Sequence, residues 1–170
     1  MKRIVFLALL AAFLLSGCGY RLRGKETNLP PEIRSVAIPI FANRTDQTGA
    51  ETDVTRALAE KFISARRLPV ATQNSADAIL TGKVMSFVTT PVAVTSSTQV
   101  SQEYRATLTV EFTFQGVKDG KVLYREQMND WRNYPVVSDL NTTEQNKREA
   151  IRAISALLAE RIHELILGGF

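Results

Sequence analysis

The chain has 170 residues, one cysteine, one histidine and a formal net charge of +4. That length holds a single domain. One cysteine excludes an internal disulfide and a thiolate zinc site, and one histidine leaves no second imidazole for a metal pair, so neither a metal nor a cofactor is expected.

Met1-Lys2-Arg3 leads into an apolar run from Ile4 to Leu15, followed by Ser16, Gly17 and Cys18. Two positive charges, a short apolar stretch and small residues before a cut site read as a secretory signal. The run of twelve residues is shorter than the roughly twenty that cross a bilayer, which argues against a short transmembrane helix. Leu15-Ser16-Gly17-Cys18 resembles the bacterial lipobox. That resemblance implies cleavage between Gly17 and Cys18, a diacylglycerol on the Cys18 thiol and an acyl group such as palmitate on the new amine. Three acyl chains exceed the two signals that stable anchoring needs. Residue 19 is Gly and not Asp, which by bacterial sorting rules implies the outer membrane, at its periplasmic face.

Removal of residues 1–17 leaves 153 of the 170 residues, with 19 basic against 17 acidic side chains, a net charge of about +2. So small a charge gives no footprint for nucleic acid, and none is expected as a partner. Residues 18–32, with the double proline Pro30-Pro31, read as a lipidated tether. Residues 33–170 read as a single α/β sandwich domain.

The first predicted strand covers Ile33 to Ile40, with Val36, Ile38 and Ile40 on one side and Pro39 marking its end or a sheet edge. Thr48 and Glu51 have the spacing of a capping box. After them Val54, Ala57, Leu58, Phe62 and Ala65 recur at helical spacing until Arg66, Arg67 and Pro69. Ala78 to Thr90, rich in β-branched and apolar residues, is the second strand. The third shows strict alternation over the twelve residues from Tyr104 to Gln115. Tyr104, Ala106, Leu108, Val110, Phe112 and Phe114 take one face; Arg105, Thr107, Thr109, Glu111, Thr113 and Gln115 take the other. Asp119-Gly120 is a hairpin turn, and the fourth strand runs from Lys121 to about Asn129. Asn141 and Glu144 again suit a capping box, opening a helix whose stripe is Ile151, Ile154, Leu157, Leu158, Ile162 and Leu165. Gly168-Gly169 ends it.

The order β-α-β-β-β-α, with one apolar stripe per helix, predicts an α+β two-layer sandwich: two helices on one face of a four-stranded mixed sheet. The Thr-rich reverse face then has no helix to cover it. Thr89 to Gln102 carries no charged side chain. Two readings stand: a Ser/Thr loop, or a long hairpin whose residues Val92, Val94, Thr95 and Val100 extend to meet a partner.

No nucleophile motif, P-loop or dinucleotide fingerprint occurs. His163 reads as a solvated helix residue. Asp130-Trp131-Arg132-Asn133-Tyr134-Pro135 interleaves aromatics with Arg; it either binds a sugar or acyl chain or Trp131 closes the end of the core. The chain reads as a binding or structural protein and not an enzyme.

Several segments in order resemble the LptE family of lipopolysaccharide-assembly lipoproteins. They are Gly17 to Gly24 with its aromatic-x-Leu-Arg run, Val36 to Thr45, Leu80-Thr81-Gly82-Lys83-Val84, Glu103-Tyr104, and Asn141 to Ala150. The resemblance implies an outer-membrane lipoprotein that plugs and helps assemble the LptD β-barrel and assists lipopolysaccharide delivery to the cell surface. Its implied partners are an LptD-like barrel, lipopolysaccharide and the outer membrane. The family's basic residues at the hairpin tip and before the last helix are absent here. The nearest cations, Arg105, Lys118, Lys121 and Arg132, are the candidates for lipopolysaccharide contact. A different class of role, as a lipoprotein activator of peptidoglycan synthesis or a secretion-pore subunit, is the alternative suggested by Ile38 to Thr45.

Overall fold

A computed structural model describes residues 29–92 and 102–168 of the chain. The elements in order are β1 (Val36–Ala37), β2 (Ala42–Asn43), α1 (Ala50–Ala65), β3 (Ala78–Val92), β4 (Gln102–Gly116), β5 (Val122–Val136) and α2 (Leu140–Leu167). The signal segment, Cys18, most of the tether, and hairpin positions Val94, Thr95 and Val100 lie outside the described residues.

The mixed sheet has five strands and not four, because the predicted first strand is broken in two. Its pieces, β1 and β2, both pair in parallel with β3, Val36 opposite Ala78 and Ala42 opposite Lys83. Pro39 lies between them, without an N–H to continue a ladder. The register offset changes by one residue across this break, which reverses the alternation. Ile40, expected inside, is 73 % exposed, and Phe41 is buried in its place.

β3, β4 and β5 form an antiparallel meander, with irregularities after Val84 and Phe114. The faces of β4 follow its sequence: Ala106, Leu108, Val110, Phe112 and Phe114 are buried under the helices. β5 runs beyond the predicted end at Asn129, pairing through Val136 with Gln102. Trp131 is therefore a strand residue, 45 % exposed, and does not close the core. Gly120, at φ 66°, makes the β4–β5 turn, and Asp119 accepts the Lys121 N–H at 3.0 Å.

Both helix starts are one or two residues from the predicted positions. α1 is capped at Gly49, not Thr48; Glu51 reaches back to the Gly49 N–H at 3.1 Å and also accepts from Asn43 Nδ2 at 2.7 Å. α2 is capped by Asp139, not Asn141, whose carboxylate accepts from Thr142 N at 2.9 Å. The helices run parallel. Lys61 meets Glu160 at 2.8 Å, and Arg67 donates to the Leu167 carbonyl at 2.9 Å.

α2 buries residues toward both the sheet and α1, a wider band than a single stripe. His163 falls in the added part. It is buried and not solvated, its ring edge-on to Phe62 with centroids 5.0 Å apart. No helix among the described residues is long and apolar enough to cross a membrane.

Candidate functional site

With both helices on one side, the reverse of the β3–β4–β5 meander is uncovered among the described residues. Strand register fixes its composition. Lys83, Glu111 and Gln127 share one cross-strand row, Ser86, Thr109 and Asn129 the next, then Val88, Thr107 and Trp131, then Thr90, Arg105 and Asn133. Most of the face is hydroxyl or amide. The exceptions in these rows are the charged Lys83, Glu111 and Arg105 and the apolar Val88 and Trp131, the last two 51 % and 45 % exposed on either side of Thr107.

Beside them lies Arg105. Its guanidinium carbon sits 4.0 Å from the centroid of the Trp131 ring, and its Nε donates to Asn133 Oδ1 at 3.2 Å. A planar cation stacked on indole and held at Nε is fixed in orientation, with both Nη groups directed elsewhere. Among the described residues Arg105 forms no ion pair within 4.0 Å. The other cations of this face are engaged or remote. Lys83 is paired with Glu111 at 4.0 Å. Arg125 donates to Thr113 Oγ1 at 3.4 Å, eight residues along β4 from Arg105, roughly 26 Å at 3.3 Å per residue.

The edge of β5 next to this patch is partly capped by side chains. Arg161 donates to the Asn129 carbonyl at 2.9 Å, Asp130 accepts the Trp131 N–H at 2.8 Å, and Asn146 donates to the Pro135 carbonyl at 2.9 Å. Pro135 itself has no N–H. These bonds, with the missing N–H of Pro135, interrupt the row of edge groups between Asn129 and Pro135 that a further strand would use.

The four candidate cations are not brought together. Arg105 is on the open face. Arg132 pairs with buried Ala106 and so projects on the helix side. Lys118 and Lys121 stand together at the exposed β4–β5 turn, roughly 40 Å along β4 from Arg105. Of the hairpin positions, Val92 pairs with Glu103. Asn133, which holds Arg105, carries no sequence signal of its own. Its role depends on a register linking residues 28 apart.

A cleft between the start of α1 and the first turns of α2 is lined by Asp46, Asp53, Arg56, Glu144, Lys147 and Arg152, among others. Its charges are partly spent on each other, Arg56 with Asp53 and Lys147 with Glu144. Ala50 and Ile151 are its apolar lining.

The family model described as LptE, lipopolysaccharide-assembly, matches residues 33–166. The chain belongs to the LptE family. The match covers every strand and nearly all of α2, so the family sequence is the sandwich itself. No curated protein matches the chain. Among solved structures, a Caulobacter crescentus protein shares 11 % identity over 74 % of this chain and 86 % of its own, with TM-score 0.53; it supports the fold. A minor lipoprotein of Acinetobacter baumannii is 17 % identical over 81 % of this chain and 92 % of its own, TM-score 0.49. The rare lipoprotein B of Shewanella oneidensis is 13 % identical over 74 % and 91 %, TM-score 0.46.

Proposed function

We propose that this LptE-family chain is an outer-membrane lipoprotein, anchored through Cys18 at the periplasmic face, that sits within an LptD-like β-barrel as plug and assembly partner. The observation that carries this reading is the uncovered sheet face. A domain whose described residues bury only one side of a fifteen-residue, three-stranded meander keeps a broad, mostly polar surface for docking inside another molecule. Wide barrels enclose a lumen that side chains do not fill, and a domain of this bulk suits it. The family match over residues 33–166 supports the assignment to lipopolysaccharide assembly.

Within this reading the chain assists lipopolysaccharide delivery chiefly by shaping the barrel. Phosphate recognition relies on converging charged donors, and Arg105, Lys118, Lys121 and Arg132 form no single cluster. Lys118 and Lys121 share the exposed β4–β5 turn. The chain performs no catalytic step.

The test is affinity purification of the full-length lipoprotein from outer membranes, with and without depletion of the chain. Recovery of an LptD-sized barrel, and loss of correctly assembled barrel on depletion, is the expected result. Co-purification with a peptidoglycan synthase or a secretion pore in place of the barrel would overturn it. Photo-crosslinking from positions 92–100 would then name the hairpin's neighbour.

A further inference from the structure

We infer that Arg105, stacked on Trp131 and held by Asn133, is the anchor of the partner interface and receives a carboxylate from the protein wall against which the open face docks. The inference rests on the docking reading above and specifies its central contact.

Three features point to it. First, the guanidinium is set in advance. Stacking at 4.0 Å on Trp131 and the 3.2 Å bond from Nε to Asn133 remove most of the freedom of a long side chain, leaving the Nη fork for a planar acceptor. Second, Val88 and Trp131 supply exposed apolar area beside the charge. An arginine beside a large aromatic is the composition of interface positions that dominate binding. Third, the neighbouring edge of β5 is interrupted by Arg161, Asp130 and Asn146, which disfavours strand addition there and favours contact through side chains.

The choice of a carboxylate over a lipid phosphate follows from charge. Lys83 is already paired with Glu111, and Arg125 is remote, so among the described residues Arg105 stands as one cation on its part of the face. Glu103, two residues along the same strand face, adds a negative charge nearby. Clustered phosphates call for several cations; a lone fork matches one carboxylate.

The test uses the full-length lipoprotein purified from outer membranes with its cognate LptD-like barrel. Barrel recovery per chain is measured for wild type, Arg105→Glu, Arg105→Gln and Ala153→Glu, and binding of purified lipopolysaccharide is measured in parallel. Arg105→Glu should lower barrel recovery about tenfold or more, and Arg105→Gln should lower it by a smaller factor while keeping the fold. Ala153→Glu, exposed on α2 away from the open sheet face, should change it little. Replacing one lumenal Asp or Glu of the barrel by Arg should restore recovery with Arg105→Glu. Normal recovery with both Arg105 variants overturns the inference, as does equal loss with Ala153→Glu. Loss of lipopolysaccharide binding with the barrel retained assigns Arg105 to phosphate and also overturns it. If wild type itself recovers no barrel, the docking reading fails, a result distinct from failure of the Arg105 variants.

Discussion

The ring of Phe41 lies over Gly82, in the space that a side chain at residue 82 would occupy. Glycine inside a strand ordinarily weakens it, and a close approach is the usual reason for its presence. Here the ring that enters the core at the break in the edge strand rests on β3, and a Cβ at residue 82 would overlap it.

Gly82→Ala is therefore expected to destabilise the domain by about 1–3 kcal/mol, the usual range for overpacking. Urea unfolding should show a lower midpoint with an unchanged slope. A midpoint equal to wild type would mean that the ring shifts at no cost.

The two faces of β4 give a second prediction. Phe112 is fully buried beneath the helices, and Thr109 is on the open side. Phe112→Asp puts an unpaired carboxylate into the core, a change of several kcal/mol, and should abolish the cooperative melt. Thr109→Asp should change stability by no more than about 0.5 kcal/mol. Circular dichroism and thermal melts of the two variants decide this; similar curves would refute the assigned facing.

His163 predicts a pH dependence. Its side chain is buried, and Nε2 has no hydrogen-bond partner among the described residues. Burial pushes its pKa below 6.5; Lys61 and Arg67 act in the same direction and Glu160 opposes them. The folded state thus keeps the imidazole neutral where the unfolded chain binds a proton. Stability is full above the unfolded value near 6.5 and falls as pH drops toward the folded value. Asp77, Asp139 and Glu160, held below their ordinary values by Ser35, Thr142 and Lys61 respectively, lose their contributions at lower pH. Urea midpoints between pH 7.5 and 5.5 should therefore fall for wild type and stay nearly flat for His163→Leu. Parallel profiles would remove His163 as the cause.

Cys18→Ala should release the protein into the soluble periplasmic fraction when expressed without its partners. Fractionation that still finds it on the membrane would contradict the lipid anchor.

Local periodicity carried far in this protein. Alternation from Tyr104 to Gln115 gave the correct faces of β4, and Asp119-Gly120 gave the turn. The apolar repeat from Val54 to Phe62 gave the buried side of α1. These are properties of neighbouring residues, and a period of two or 3.6 records them directly. The break at Pro39 was half legible: the proline signalled an end, but not that pairing resumes at Ala42 with the alternation reversed. His163 was misread because one stripe was assumed for α2. A helix that contacts both a sheet and a second helix buries a wider arc.

By its sequence alone the chain determined its succession of helices and long strands, the apolar faces of α1 and β4 and the family to which it belongs, because those are written in local spacing and composition. Only the tertiary structure decided that Arg105 lies on Trp131 beside Asn133, that α2 side chains cap carbonyls on the β5 edge, and that His163 is enclosed against Phe62. Each joins residues from separate elements, and strand register and helix packing, which set those meetings, leave no periodic trace in either segment.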